Sequence, residues 1–170
     1  MSDGRRFGLS AALTTPFRED GRIDLAKMVG HARRCLAEGC DSITLFGTTG
    51  EGPSISRDER TAVFAAMIAG GIPTDRIVCG VTETSVASAA EMAKVALESG
   101  CRNAMLTPPF YFKNPSDEGV YAWFAAVFAM LGDSARDIIL YHIPSATLVP
   151  LSHELILRLA ADFPTIVWGV

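Results

Sequence analysis

Two adjacent threonines stand between glycines in Phe46-Gly47-Thr48-Thr49-Gly50-Glu51-Gly52-Pro53, directly after the apolar run Ser42 to Leu45. Glycines let backbone N–H groups approach a ligand closely, and a concave group of such donors suits a small anion such as a carboxylate. A hydroxyl at Thr48 is of the right type to pass a proton to or from a tyrosine. A plain glycine-rich turn with solvated threonines accounts for the same residues, and the stretch alone does not choose. Two tyrosines follow strand-like segments further on, Tyr111 in Thr107-Pro108-Pro109-Phe110-Tyr111 and Tyr141 in Tyr141-His142-Ile143-Pro144-Ser145. Rim packing is the commoner use of a single tyrosine. Two of them with a threonine at neighbouring strand ends also make a shared proton path. Glu51 and Glu83 read as loop braces or helix caps rather than bases. His142 alternates with Tyr141 and reads as structural; His31 and His153 read as surface helix residues.

These residues need a scaffold, and the chain's periodicity supplies one. An apolar run at Gly8 to Leu13 comes first, followed by a helix from about Asp24 to Glu38 with apolar residues at helical spacing. Strand-like Ser42 to Leu45 precedes a helix from Arg57 to Ala69, with Ser56 and Glu59 as a capping box and Gly70-Gly71 as its stop. Arg76 to Cys79, Asn103 to Leu106, Asp137 to Tyr141 and Ile166 to Trp168 read as further strands. Helices from Val86 to Ser99, Asp117 to Met130 and from a cap at Ser152 to about Asp162 lie between them. The segment TPPFYFKNPSDEG is a proline-rich loop.

Alternation of this kind demands parallel strands joined by right-handed crossovers. Short apolar strands suit a sheet covered on both faces. No G-x-G-x-x-G follows the first strand, which weighs against a dinucleotide fold. The expected class is α/β. A (β/α)8 TIM barrel fits, present as about five β/α units and a sixth strand, so that residues 1–170 form the N-terminal portion of one barrel domain. An open flavodoxin-like domain is the weaker reading, because it calls for a phosphate-binding strand–helix turn. In parallel β/α folds chemistry gathers at the C-terminal strand ends. Here those ends are rich in hydroxyls and poor in charge, which suits a small anion held by neutral donors.

The 170 residues are 49 % hydrophobic and 20 % charged, which implies a chain that buries a core. A net charge of −4 gives no electrostatic reason to expect nucleic acid or an anionic membrane as partner. No apolar run reaches the roughly 18–20 residues of a membrane span. The opening MSDGRRFGLS lacks the apolar stretch of a signal peptide. Cys35, Cys40, Cys79 and Cys101 have no metal-ligand spacing and read as small buried hydrophobes; a reducing cytoplasm is the expected location.

GTTGEGPSIS, TPPFYFKNPSDEG, ILYHIPSAT and FPTIVWGV, with the opening GLSAALTTPFREDGRIDL, resemble the dihydrodipicolinate synthase/N-acetylneuraminate lyase family over essentially the whole chain and in order. The resemblance implies a (β/α)8 barrel and class I aldolase chemistry. A lysine forms a Schiff base with pyruvate or another 2-oxo acid, and the imine serves as electron sink for making or breaking a carbon–carbon bond. Carried over by motif, Thr48 and Thr49, with Gly47, would hold the 2-oxo acid carboxylate. Tyr141 would be the general acid/base, and Tyr111 would join the proton relay from a neighbouring subunit, with Thr48 between the tyrosines. A homotetramer is implied, and no metal or organic cofactor.

Two departures from the family pattern stand out. The Y-N-[IV]-P-S-R-T motif of dihydrodipicolinate synthases reads Tyr141-His142-Ile143-Pro144-Ser145-Ala146-Thr147 here. Ala146 cannot pair with the second substrate's carboxylate as that arginine does. An aldolase or dehydratase for 2-keto-3-deoxy sugar acids therefore fits at least as well. The loop also carries one more residue before Pro115 than the pattern. The second departure is the family's G-[IV]-K-[DE] strand, whose lysine forms the imine; the sequence given ends Trp168-Gly169-Val170. The expectation is an N-terminal piece cut just before its nucleophile, inactive alone and with an exposed strand edge. Lys27, Lys94 and Lys113 lie on helices or in a loop and are poor substitutes. A non-catalytic 2-oxo acid-binding or assembly module is the reading from another functional class.

Overall fold

The structure is a computed structural model and describes residues 7–169; the readings that fall on Met1 to Arg6 and on Val170 lie outside the described residues. Two compact units divide after Gly80.

The first unit carries β1 (Ser10–Ala12), α1 (Leu25–Ala37), β2 (Ser42–Leu45), α2 (Arg57–Ala69) and the start of β3 (Ile77–Val81). β1 pairs in parallel with β2, matching Ala11 to Ile43, and β2 pairs in parallel with β3, matching Thr44 to Val78. Every residue of β2 and β3 is buried, as a two-sided sheet requires. The Asp24 side chain accepts from the Lys27 N–H and so starts α1. Ser56 and Glu59 form the reciprocal capping box that starts α2, and Gly70 ends it.

The second unit carries α3 (Val86–Glu98), β4 (Asn103–Leu106), α4 (Asp117–Leu131), β5 (Ile138–Leu140), α5 (Pro144–Thr147), α6 (His153–Asp162) and β6 (Ile166–Gly169). β4 pairs in parallel with β5, and β5 with β6 across an irregularity at Ile138/Ile139. Its core joins β4 and β5 to the inner faces of α3, α4 and α6, with Phe124 and Leu97 fully buried. Phe128 packs on Phe163 with ring centres 4.9 Å apart. Serines 85, 116 and 152 cap α3, α4 and α6 through their side chains. No helix among the described residues is long and apolar enough to cross a membrane.

Several details depart from the sequence reading. β3 starts one residue later than expected and runs on to Val81, because Arg76 closes a 3-10 turn. Asp137 falls outside β5 because its φ of 51° is left-handed, which breaks the extended backbone. The helical turn α5 was not expected. Only Cys79 and Cys101 are buried as read; Cys35 and Cys40 are half-exposed. Burial pushes the Cys101 thiol up to about 12. His31 is half-buried rather than a surface residue, whereas His153 is exposed. In β6, Val167 and Trp168 are exposed.

Candidate functional site

The glycine–threonine turn begins where β2 ends. Phe46 takes a left-handed φ of 58° although its side chain is fully buried. A phenylalanine holds that conformation only where its surroundings enforce it. The next residues wind into a tight helical turn. Gly50 N–H donates to the Gly47 carbonyl at 3.1 Å, Glu51 N–H to Thr48 at 3.1 Å, and Gly52 N–H also to Gly47 at 3.1 Å. Glu51, at φ 54°, then leads into a 3-10 turn at Gly52–Ser54. The i→i−3 pattern begins with the Gly50 amide. The Thr49 amide lies ahead of it, on an exposed residue, as the leading donors of any helical turn do. Thr48 and Thr49 are both exposed, while Gly47, Gly50 and Gly52 are buried beneath them.

Neighbours pin this turn from below. The Thr15 hydroxyl, just past β1, donates to the Gly50 carbonyl at 2.7 Å in a buried bond. A Cβ on Gly50 would meet the Leu13 carbonyl oxygen at 2.8 Å, and one on Gly52 the Phe46 carbonyl oxygen at 1.9 Å. Both glycines are therefore required by close backbone approach. Arg60, in the first turn of α2, is buried, and its guanidinium donates to the carbonyls of Ile55, Gly80 and Gly52. Sequence reasoning missed Thr15 and Arg60. The charged string Ser56-Arg57-Asp58-Glu59-Arg60 reads as a solvated helix start, and nothing local marks its last residue as buried.

The two tyrosines belong to the second unit. The Tyr141 N–H donates to the Leu106 carbonyl at 2.8 Å, which fixes Tyr141 just past β5 and beside the end of β4. Its side chain is half-buried, and His142 after it is exposed. Pro144 then opens α5, and Leu148 ends it at a left-handed φ of 56°. Ala146 is exposed on α5. The Thr147 hydroxyl is buried and donates to the Ile143 carbonyl at 3.1 Å, which locks the turn's shape.

Tyr111 lies in the loop between β4 and α4 and is 73 % exposed, packed edge-on against Phe112 at 5.1 Å. Lys113 turns back to donate to the Phe110 carbonyl. Asn114, left-handed at φ 54°, precedes the Ser116 cap of α4. Lys27, Lys94 and Lys113 are all exposed, as anticipated. Glu51 is exposed at its turn and Glu83 is half-buried. The first unit thus brings Thr15, Arg60 and the residue 47–52 turn together, and the second sets Tyr141 and Tyr111 on separate loops after β5 and β4.

Comparison with known proteins agrees with this architecture. The model of the dihydrodipicolinate synthetase family matches residues 6–169. A 4-hydroxy-tetrahydrodipicolinate synthase of Bacillus subtilis is 34 % identical over 162 residues, covering 94 % of this chain and 53 % of its own length. A solved dihydrodipicolinate synthase of Agrobacterium tumefaciens superposes with a TM-score of 0.95 at 57 % identity, over 97 % of this chain and 57 % of that one. One from Aquifex aeolicus does so with a TM-score of 0.84 at 30 % identity, over 95 % and 54 %. The chain spans about half the length of the relatives it matches. The fold is α/β with six parallel strands, and it matches the N-terminal part of a (β/α)8 barrel.

Proposed function

Because this chain belongs to the dihydrodipicolinate synthetase family, we propose that the full-length protein is a Schiff-base lyase acting on pyruvate or a related 2-oxo acid. The observation that carries this reading is the turn after β2. Its buried glycines and exposed Thr48 and Thr49 make a small set of neutral donors, pinned from below and suited to one carboxylate.

In this reading Gly47, Thr48 and Thr49 bind the carboxylate of the 2-oxo acid. A lysine amine attacks the keto carbon, water leaves, and the protonated imine draws electron density from the adjacent carbon. That carbon is then deprotonated, or its bond to an aldehyde carbon is cleaved. Tyr141 serves as the acid/base for those proton transfers, with the Thr48 hydroxyl as the link in the relay. Tyr111 joins the relay across a subunit contact in a homotetramer; its exposure leaves it available to a neighbouring copy. The amine does not come from Lys27, Lys94 or Lys113, because a nucleophilic lysine needs desolvation to lose its proton near neutral pH and all three are solvated. It is supplied by the part of the protein that corresponds to the relatives' other half. The enzyme works in the cytoplasm.

Ala146 favours a second reading of specificity. With no charge at this exposed position of α5, a partner substrate bearing a carboxylate there has no fork to bind. A sugar-derived 2-oxo acid, handled by an aldolase or dehydratase, meets that site with hydroxyls instead.

The experiment is intact-mass measurement of the full-length protein after incubation with pyruvate and borohydride, which reduces an imine to a stable adduct. One adduct per chain, mapped to a lysine beyond residue 170, is the expected result. Its absence at saturating pyruvate sinks the lyase reading and favours a non-catalytic binding module. An adduct on Lys27, Lys94 or Lys113 overturns the assignment of the amine.

A further inference from the structure

The best-anchored side chain near the glycine–threonine turn is one that the chemistry above does not use. Arg60 is 2 % exposed. Its Nη2 donates to the Gly52 carbonyl at 2.6 Å, its Nε to Ile55 at 3.1 Å and its Nη1 to Gly80 at 3.2 Å. These carbonyls come from the turn, from the residue just before the α2 cap, and from β3. The guanidinium carbon also lies 5.2 Å from the centre of the Phe46 ring. Burying a guanidinium is costly, and an apolar side chain would fill the volume without that cost. A planar fork with several fixed donors does what an apolar side chain cannot, and holds several carbonyls at set directions at once.

The held carbonyls explain which part of the site depends on it. Gly52 and Gly80 are the two glycines that pack against the Phe46 carbonyl, where added Cβ atoms would lie 1.9 and 2.5 Å from its oxygen. Arg60 bonds the carbonyls of both. It thereby closes a bracket around Phe46, whose left-handed φ launches the chain into Gly47-Thr48-Thr49.

We propose that Arg60 is a positioning residue for 2-oxo acid binding: its fork of carbonyl bonds locks the turn in its carboxylate-holding shape. The inference rests on the reading of the turn as a carboxylate site. It predicts that losing Arg60 weakens 2-oxo acid binding more than it slows the chemistry that follows.

The test uses the full-length protein, with pyruvate as probe and borohydride as trap. Wild type, R60K and R60M are compared for the pyruvate concentration giving half-maximal adduct, the adduct level at saturation, and thermal unfolding. R60M is expected to raise the half-saturating concentration at least tenfold, with the saturated adduct level within twofold of wild type. R60K keeps the charge but not the fork and should fall between. A half-saturating concentration within twofold of wild type in R60M overturns the proposal, as does a loss seen only in the saturated level and unfolding temperature. Should R60M fail to fold, R60K decides: a shift of threefold or more supports the proposal and no shift overturns it. A wild type that traps no pyruvate defeats the carboxylate reading and this inference with it. A wild type that traps well beside an equally competent R60M removes this inference alone.

Discussion

Gly52 lies so close to Phe46 that a Cβ on it would stand 1.9 Å from the Phe46 carbonyl oxygen. The obstacle is backbone, so no rotamer change relieves it. Gly52→Ala must displace either the turn or the end of β2. The expected cost is about 3 kcal/mol, the upper end for overpacking. The displaced turn should also lose its grip on a 2-oxo acid. Denaturant unfolding of the full-length protein, with pyruvate trapping alongside, checks both. A fully stable variant with unchanged trapping would mean that the turn tolerates a wider backbone than the one described.

Thr15 anchors the same turn through its buried hydroxyl bond to the Gly50 carbonyl, at 2.7 Å. Thr15→Val keeps the shape and removes the donor, leaving a buried carbonyl unsatisfied. That should cost about 1–3 kcal/mol. Thr15→Ser restores a hydroxyl and should recover most of the loss. Urea unfolding midpoints of the three proteins decide the matter, and a valine variant as stable as wild type would show that the bond contributes nothing net.

How far these contacts could be read in advance depended on how local their causes are. Ser56 and Glu59 sit three residues apart and define the start of α2 by themselves, so the helix was legible at both ends. Ser42 to Leu45 and Asn103 to Leu106 are short apolar runs between turn residues, and both are strands as expected. Thr48 and Thr49 stood out because glycines flank them. Arg60 did not, because carbonyls that it bonds lie 5, 8 and 20 residues away. Thr15 finds its partner 35 residues on. The α5 turn covers only Pro144 to Thr147, too short for any period to show. The direction of Phe46 is likewise set by Gly52 and Gly80 rather than by its own residue type.

The α2 cap gives a pH dependence of definite sign. The Glu59 carboxylate accepts from the Ser56 hydroxyl at 2.7 Å and from the Ser56 N–H at 2.9 Å. The hydroxyl bond first, then the backbone bond, hold its carboxyl below the usual carboxylate range. A folded-state value below the unfolded one, ordinarily about 4.3, adds stability that is fully present above that unfolded value. It is lost as pH falls through the lowered folded value. Wild type should therefore exceed Glu59→Ala in stability at pH 7, with the gap narrowing as pH drops below about 4. A gap that stays constant from pH 7 to pH 2.5 would show that the carboxylate charge is not what the cap uses.

Tyr141 and Tyr111 should separate in their kinetics because their settings differ. Tyr141 is half-buried, and its amide is bonded to the Leu106 carbonyl, so its position is set within its own unit. Tyr111 is 73 % exposed beside Phe112, itself 79 % exposed, on a loop where Lys113 donates to the Phe110 carbonyl. Removing a general acid/base typically costs about 10²–10⁴ in rate. If Tyr141 has the proposed acid/base role, Tyr141→Phe in the full-length protein should fall in that range for turnover, with pyruvate half-saturation little changed, because the proposal gives carboxylate binding to the Thr48–Thr49 turn. Tyr111→Phe should lose activity only to the extent that a neighbouring copy orders the loop. Its defect should be large in the assembled oligomer and absent in a dissociated form that retains partial activity. Steady-state kinetics beside sedimentation of the same samples reads both effects. A Tyr141→Phe enzyme that turns over at the wild-type rate would move the acid/base role to another group, and a Tyr111 defect independent of assembly would place that tyrosine in its own subunit's site.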